Sequence, residues 1–229
     1  RGWSLPFPEH LIMHTLKQNG YITAMAGFQH AVIDVSTAGY TRVLSQENEK
    51  AGAEERAVEF LSETHDQPFF LDVGFIETHR RGAGFDNQPA GEAKTDPRYV
   101  KPPAPFLDTL ETRQDMAEYI DAARTLDYKM GQVFEAVDRN GLTNNTMIIC
   151  TTDHGLAFPN MKCHLTDHGI GVMLIMRGPN GFTGGKVIDG MVSQIDLFPT
   201  VCELTGTIAP SWLQGTSITP LIHGEEAIH

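Results

Sequence analysis

The tripeptide Asp-His-Gly occurs twice between residues 151 and 169. Each copy places a carboxylate beside an imidazole, and both groups bind divalent metal ions. The copy at 153–155 directly follows the β-rich run TMIICTT at 146–152, whereas the copy at 167–169 precedes the apolar run VMLIMR at 172–177. The question is which copy could hold a metal ion.

The position of each copy relative to its strand favours the first. Ligands of open α/β sheets collect beyond the carboxyl ends of the strands. Asp153 and His154 are therefore candidate metal ligands, provided that the strand ends before them, because adjacent residues of an extended strand point to opposite faces. Gly155 permits the necessary turn. The alternative for this copy is an Asp that caps a turn beside a surface His.

For Asp167 and His168 we favour the capping interpretation. Their copy begins at the wrong edge of the sheet, unless the intervening loop returns over the site. Lys162 lies in that loop, nine residues after Asp153 (162 − 153 = 9). We interpret it as an active-site cation, because Asp153 and His154 are close in sequence, and the alternative is a solvated loop lysine.

Two further predicted strands also deliver a His at their ends. The run FFLDVGF at 69–75 leads to His79, which Arg80 and Arg81 follow as candidate contacts for an anion. The strand predicted at 21–26 leads to His30. One such His is usually structural, but three strand ends with a His, near Asp and Lys, indicate a reactive site.

Strands alternate with helices along the chain, which predicts an α/β fold with a mostly parallel sheet flanked by helices in a single domain spanning 1–229. Residues 80–105 are rich in Gly, Pro and charge and are too long for a simple connector, so we expect a substrate-facing loop there. The predicted helices cover about 8–19, 53–63, 109–139 and 193–204, and the predicted strands about 21–26, 31–35, 69–75, 146–152 and 172–177.

Composition excludes several classes of function. The formal net charge of −12 argues against nucleic-acid binding as the main task. No apolar run is long enough to span a bilayer. Cys150, Cys163 and Cys202 show no metal-binding or redox spacing and are interpreted as incidental thiols, so cysteine usage does not indicate a compartment.

Five blocks, in this order, carry a family resemblance. They are FFLDVGFIETH, VKPPAPFLDT, the helix RQDMAEYIDAARTLDYKMGQVFEAVDRNGL, NTMIICTTDHG with a Lys after it, and MVSQIDLFPTVCELTG. Together they resemble the sulfatases of the alkaline-phosphatase superfamily, from about residue 11 to 224. The segment Thr78-His79-Arg80 and the short interval from Asp153 to Lys162 are most similar to the heparan N-sulfatase branch.

The resemblance implies roles for these residues. Asp153 would bind calcium, or another divalent ion, and His154 would bind the same ion or the substrate oxygen beside it. Lys162 would contact the sulfate, and His79 would act near the leaving group. His30 matches the His of the Gly-Lys-x-His block of the family, but Phe28 replaces the Lys of that block, which removes one expected sulfate contact.

Other family residues are absent from this sequence. It contains neither the motif C/S-x-P-S/A-x-R, whose Cys or Ser becomes the formylglycine nucleophile, nor the Asp pair that completes the metal site. We therefore expect that an N-terminal catalytic segment is missing and that this chain alone is inactive. The implied activity is hydrolysis of sulfate esters or N-sulfates, with sulfated glycans or small molecules as substrates, in a periplasmic, secreted or lysosomal protein.

Two alternatives are open. The first is a phosphoester or phosphonate hydrolase of the same superfamily, which would share the metal ligands. The second is a noncatalytic sugar-binding or structural relative that has lost its nucleophile. The sequence does not indicate an oligomeric state.

Overall fold

The computed structural model describes residues 5–46, 52–80, 82, 84–85, 93–179, 182 and 185–225. The helices of this part of the chain are α1 (Ile12–Gln18), α2 (Ala53–Leu61), α3 (Leu110–Arg139), α4 (Asp167–Ile170), α5 (Leu197–Thr205) and α6 (Thr219–His223). The strands are β1 (Ile22–Gly27), β2 (Arg42–Val43), β3 (Phe69–Gly74), β4 (Ile148–Thr151) and β5 (Leu174–Arg177). None of the described helices is long and apolar enough to cross a membrane.

The chain divides into two compact units. The first unit comprises Arg1–Gly74, Leu142–Met147 and Arg177–His229, and the second comprises Phe75–Gly141 and Ile148–Met176. Both units are built from segments that are separate in sequence. A compact unit is not by itself a domain, so the single domain predicted from the sequence stays a prediction.

The first unit contains a parallel sheet with the strand order β2-β1-β3. The central strand β1 is buried from Thr23 to Ala26, as expected for a strand with neighbours on both sides. In register, Ile22 lies opposite Phe69 at one end and Gly27 lies opposite Gly74 at the other. The α/β class and the parallel sheet predicted from the sequence are confirmed.

The ends of β1 and β3 approach each other more closely than side chains would permit. Gly27 has a φ of +92°, and a Cβ atom built on it would lie 2.3 Å from the Gly74 carbonyl oxygen. A Cβ on Gly74 would lie 1.7 Å from the Phe28 carbonyl oxygen. The Phe28 amide donates a hydrogen bond of 2.8 Å to Gly74. Two glycines therefore determine how the chain leaves both strands, toward His30 and toward His79.

A half-buried polar pair connects β3 to the loop before β2. The Tyr40 hydroxyl donates a hydrogen bond of 2.5 Å to the Asp72 carboxylate. Burial raises the pKa of Asp72, although this hydrogen bond acts in the opposite direction. The pKa of Tyr40 is also raised, first by burial and then by the negative charge of Asp72.

Two predicted elements of the first unit differ from the structure. The helix predicted from Pro8 is interrupted, because Pro8–His10 form a separate 3-10 turn and Leu11 is extended (φ −69°, ψ 143°) before α1 begins. The strand predicted at 31–35 is wrong. Asp34 caps a 3-10 turn at Val35–Thr37 through the Ser36 amide.

The reason for the missing strand lies in local side-chain hydrogen bonds. The Gln29 side chain accepts from the Val32 amide at 3.0 Å and donates to the Val32 carbonyl at 2.8 Å. Such bonds occupy the backbone groups that a strand ladder would need. The β-favouring residues at 31–35 therefore do not form a strand.

The second unit is organised around α3, a helix of 30 residues. Thr109 caps it, with its hydroxyl accepting from the Thr112 amide. β4 and β5 pair in a two-stranded sheet. One core cluster of the unit contains Phe85, Ala122, Phe158 and Met161. An aromatic cluster of Phe85, Phe106, Tyr119 and Phe158 has ring centroids 5.4–5.8 Å apart along its chain of contacts.

The described part of the predicted loop at 80–105 is fixed to α3. The carboxylate of Asp121, which is 5% exposed, accepts from the Thr95 amide at 3.1 Å and from the Thr95 hydroxyl at 2.5 Å. The loop contains a 3-10 turn at Pro97–Tyr99 that Asp96 caps. That residues 80–105 face the substrate stays a prediction.

Candidate functional site

The first Asp-His-Gly copy lies just beyond the carboxyl end of β4. The strand ends at Thr151, so that Asp153 and His154 do not diverge, and the Asp153 Oδ1 and His154 Nε2 atoms are 3.5 Å apart. The Asp153 side chain is 80% exposed and that of His154 is 27% exposed. The turn that the sequence required for convergence is therefore present.

The imidazole of His154 is held in one orientation by the backbone. His154 Nδ1 lies 2.7 Å from the Gly155 carbonyl oxygen. Because a carbonyl oxygen only accepts, Nδ1 must carry the proton of this bond, and the neutral ring then has its lone pair on Nε2. This is the tautomer in which Nε2 can bind a metal ion or accept a proton.

The second Asp-His-Gly copy lies against the first, because the loop between them returns. The Gly155 amide donates to the Gly169 carbonyl at 2.9 Å, and the Leu156 amide donates to the His168 carbonyl at 3.1 Å. A Cβ atom on Gly155 would lie 1.9 Å from the His168 carbonyl oxygen. The sequence had placed the second copy at the opposite edge unless this return occurred, and the structure shows the return.

Asp167 does not have the capping role that its position suggested. The N-cap of α4 is Thr166, and Asp167 stands in the first turn of this short helix. The side chains of both Asp167 and His168 are exposed. That Asp167 is no metal ligand stays a prediction.

Lys162 is presented by the same loop. It is half-buried, and its amide donates to the Leu156 carbonyl at 3.1 Å. Asn160 and Cys163 on either side have left-handed backbones, with φ of 60° and 66°, and such residues concentrate at functional sites. Met161 is fully buried in the core of the unit. Among the described residues the Lys162 ammonium makes no ion pair, and anion binding by this lysine stays a prediction.

His79 lies in a tight turn directly after β3. Its amide donates to the Ile76 carbonyl at 2.7 Å, which closes the turn. Its Nδ1 lies 2.7 Å from the Arg80 carbonyl oxygen, which is the same arrangement as at His154. In the neutral ring, Nε2 is again the basic nitrogen.

Arg80 contacts other side chains of the second unit. Its guanidinium forms an ion pair with Asp115 on α3, and it lies 4.5 Å from the centroid of the Phe85 ring and 5.6 Å from that of Phe158. These contacts connect the His79 turn to the aromatic cluster and, through Phe158, to the loop that carries Lys162. Substrate binding by Arg80 stays a prediction, and Arg81 lies outside the described residues.

The structure thus places five of the described candidate residues in the second unit, namely His79, Arg80, Asp153, His154 and Lys162. His30 belongs to the first unit, where it follows β1 and its ring contacts that of Phe28, with the centroids 4.1 Å apart. Burial raises the pKa of the Cys150 thiol on β4, which lowers its reactivity near neutral pH.

Asp153 and His154 fit a divalent metal ion only in part. Within the described ranges, no group of three or more His, Cys, Asp or Glu side chains could hold a metal ion. Calcium takes about 6–8 oxygen ligands, and the pair supplies one carboxylate and one imidazole. The described residues therefore do not form a complete calcium site, and calcium binding by Asp153 and His154 stays a prediction.

Sequence reasoning missed the ion pair that holds the His79 turn. The Glu77 side chain is 4% exposed, and its Oε1 atom lies 2.6 Å from the Lys129 Nζ atom on α3. A charged residue between a buried strand and a candidate catalytic His was the available signal. Its partner lies 52 residues further along the chain, so local patterns could not identify it.

The candidate residues that follow β3 and β4 are thus a carboxylate, two imidazoles held by backbone carbonyls and a lysine, on an α/β fold. The family model described as Sulfatase matches residues 2–207. The chain therefore belongs to the sulfatase family, as the sequence resemblance indicated.

Individual relatives agree with this family. The chain is 28% identical over 194 residues to the human (Homo sapiens) N-sulphoglucosamine sulphohydrolase, covering 72% of this chain and 39% of the relative. It is 27% identical over 188 residues to the steryl-sulfatase of Rattus norvegicus, covering 73% and 29%. The chain thus spans less than half the length of these relatives.

Solved structures agree with the fold. The crystal structure of Ps i-CgsB has a TM-score of 0.77 with 17% sequence identity, and the match covers 99% of this chain and 60% of that chain. This similarity confirms the sulfatase-type α/β fold. At this identity it carries no conclusion about substrate.

Proposed function

We propose that this chain supplies the sulfate-binding, leaving-group and part of the metal-binding residues of an enzyme that hydrolyses sulfate esters or N-sulfates. The observation that carries the proposal is the returning loop at 153–169, which presents Asp153, His154 and Lys162 on one backbone-bonded segment. Membership of the sulfatase family supports the reaction type. The formylglycine nucleophile would come from a segment that this sequence does not contain.

Lys162 would stabilise negative charge on the sulfate oxygens. These oxygens carry negative charge throughout the transfer, while the electron pair of the breaking bond goes to the leaving group. A cation already in place stabilises the charge on the sulfate oxygens in the transition state without reorganisation. The buried Met161 and the left-handed backbone at Asn160 and Cys163 restrain the position of the lysine. These features support a preorganised sulfate contact rather than a solvated lysine.

His79 would supply the proton for the leaving group. When the ring is protonated, Nε2 can donate to the departing oxygen or nitrogen, because Nδ1 is already bonded to the Arg80 carbonyl. Imidazole changes protonation near neutral pH, which suits it to this task. His30 is a second candidate for the same task by its position after β1.

Calcium, or another divalent ion, is proposed as the cofactor. Asp153 would contribute an oxygen ligand and His154 would bind the ion or a substrate oxygen beside it. When bound, the ion would orient the nucleophile and polarise the sulfate. The remaining ligands would have to come from outside the described residues.

Sulfated glycans are the proposed substrate class. The name of the human relative, N-sulphoglucosamine sulphohydrolase, supports an N-sulfated sugar, and Thr78-His79-Arg80 resembles that branch. Arg80 and Arg81 remain the candidate substrate contacts. The rat relative is a steryl-sulfatase at almost equal identity, so the substrate must be tested directly.

The test compares this 229-residue chain with a form extended through a formylglycine-bearing segment, both made in a host that forms formylglycine. Substrates are an aryl sulfate, N-sulfated glucosamine and an aryl phosphate. We expect turnover of both sulfates by the extended form and none by this chain, which lacks the covalent nucleophile. A faster rate on phosphate would favour the phosphoester alternative, and glycan binding without turnover would favour the noncatalytic one.

A further inference from the structure

The turn that carries His79 is attached to α3 at two points on either side of the imidazole. Glu77 pairs with Lys129, and Arg80 pairs with Asp115. Both partners lie on α3, fourteen residues apart (129 − 115 = 14). Since an α-helix has about 3.6 residues per turn, fourteen residues are close to four turns, and the two partners lie on the same face of the helix.

The turn carries a negative charge at Glu77 and a positive charge at Arg80, and this order determines the direction in which the turn lies along α3. In the observed direction each pair joins opposite charges. In the reverse direction Glu77 would meet Asp115 and Arg80 would meet Lys129, and both pairs would repel. Juxtaposed like charges suppress wrong arrangements at an interface. The two ion pairs therefore specify one orientation of the turn and of the His79 backbone within it.

The ion pair of Glu77 contains the more deeply buried carboxylate of the two attachments. Its side chain is 4% exposed, and its Oε2 atom is buried with no hydrogen-bond partner among the described residues. Lys129 is the cation that faces the other oxygen. A buried carboxylate that loses its partner is strongly destabilised. The segment that carries Glu77 would consequently move if Lys129 were removed, and His79 is two residues away.

We propose that Glu77 and Lys129 are positioning residues for His79, so that α3 determines where its imidazole lies relative to the substrate. This inference rests on the proposed function of His79 as the proton donor to the leaving group. Neither residue needs to contact the substrate. Their removal should lower the rate of the chemical step, because small displacements of a catalytic group cost about 100-fold in rate.

The experiment uses the extended, formylglycine-bearing enzyme with N-sulfated glucosamine. Lys129→Met and Glu77→Gln are expected to lower kcat by about 10- to 100-fold with KM changed by less than about threefold. Lys129→Arg, which keeps the charge, should retain kcat within about threefold of the original enzyme. Glu77→Asp should give an intermediate loss, because its carboxylate is withdrawn by one methylene.

The matched control is Arg42→Met. It removes the ion pair between Arg42 and Glu63, which has a distance of 2.5 Å and lies in the first unit at side-chain exposures of 39% and 44%. This variant should leave kcat and KM unchanged. Thermal unfolding of every variant distinguishes a displaced turn from a destabilised protein.

A second readout does not depend on turnover. The NMR signal of the His79 imidazole Cε1–H, assigned with a His79→Gln variant, should shift in Lys129→Met and Glu77→Gln and stay in place in Arg42→Met. If Lys129→Met fails to fold, Glu77→Asp and Lys129→Arg still give both readouts.

The possible failures are distinguishable. The proposed function of His79 is wrong if the extended enzyme without substitutions shows no turnover, or if His79→Gln leaves turnover unchanged. In either case the NMR shift still tests whether Glu77 and Lys129 position His79. If His79 is required but Lys129→Met and Glu77→Gln keep kcat within threefold and leave the imidazole signal in place, the positioning inference is overturned.

Discussion

The two Asp-His-Gly copies have the same three residues and different structures. The copy at 153–155 follows a strand, and its Asp and His side chains approach within 3.5 Å of each other. The copy at 167–169 forms most of the short helix α4, and both of these side chains are exposed. The comparison teaches that the element before the tripeptide, and not the tripeptide itself, determines whether its carboxylate and imidazole converge.

The glycines of the two copies, unlike their Asp and His residues, have similar packing environments. Gly155 lies against the His168 carbonyl, and a Cβ atom on Gly169 would lie 2.1 Å from the His164 carbonyl oxygen and 2.2 Å from that of Met161. Each glycine is thus needed for close backbone packing within the same loop. Backbone contacts therefore couple the structures of the two copies, although only the first copy is proposed to bind a metal ion.

The largest expected effect comes from this coupling. Gly155→Ala and Gly169→Ala should each destabilise the protein by about 2–4 kcal/mol, because the added methyl group meets backbone oxygen atoms that cannot move aside cheaply. Urea unfolding of the isolated chain measures the change. An Ala variant at either position with unaltered stability would show that the loop does not return as described.

Gly131→Ala is the matched control for these two variants. Gly131 lies inside α3, and a Cβ atom there would meet nothing within 4 Å. Alanine has the higher helix propensity, so this variant should be more stable by about 0.5–1 kcal/mol. The opposite signs of the two kinds of Gly→Ala change make the comparison independent of any general effect of the substitution.

The next largest effect separates the two carboxylates. In the extended enzyme, Asp153→Ala should weaken calcium binding by more than about 100-fold, because loss of a direct ligand exceeds the 10–100-fold cost of losing a supporting contact. Asp167→Ala should change folding or substrate fit more than calcium affinity. Calorimetric titration with calcium decides, and equal losses for both variants would mean that both copies contribute ligands.

The smallest effect in this series separates the two imidazoles. His154→Ala should weaken calcium binding, or substrate binding beside the ion, by about tenfold, because calcium prefers oxygen ligands and the imidazole adds less than a carboxylate. His168→Ala should change neither by more than about twofold. A larger loss from His168→Ala than from His154→Ala, measured by the same titration and by KM, would reverse the assignment of the two copies.

Part of this site was predictable from the sequence for simple physical reasons. The apolar runs before His79 and Asp153 form β3 and β4, because short apolar runs of β-branched and aromatic residues favour strands. The long helix, with Thr109 at its start and Asn140-Gly141 at its end, was indicated by its periodic apolar residues and its termini. These features are local, so the sequence carries them directly.

The rest depends on contacts between distant residues. The return of the second copy rests on backbone hydrogen bonds from Gly155 and Leu156, which involve no side chain that a pattern could reveal. The strand expected at 31–35 does not form, because the Gln29 side chain is hydrogen-bonded to the Val32 backbone. The attachment of Glu77 to Lys129 joins the turn after β3 to α3, and no periodicity connects the two segments.

The burial of the Asp72 carboxylate on β3 makes the stability of the parallel sheet depend on pH. Burial raises the pKa of Asp72 above its ordinary value of 3.8, so at pH values between these two pKa values the folded chain holds a proton that the unfolded chain has released. The stability that this proton contributes is fully present below pH 3.8 and is lost as the pH rises through the raised pKa of the folded state. Lower pH therefore stabilises this part of the fold, whereas it destabilises folds whose carboxylates are held in ion pairs.

Asp72→Asn should abolish this component of the pH dependence of the free energy of unfolding, measured by urea unfolding from pH 4 to 8. An unchanged pH profile would show that another group binds the proton.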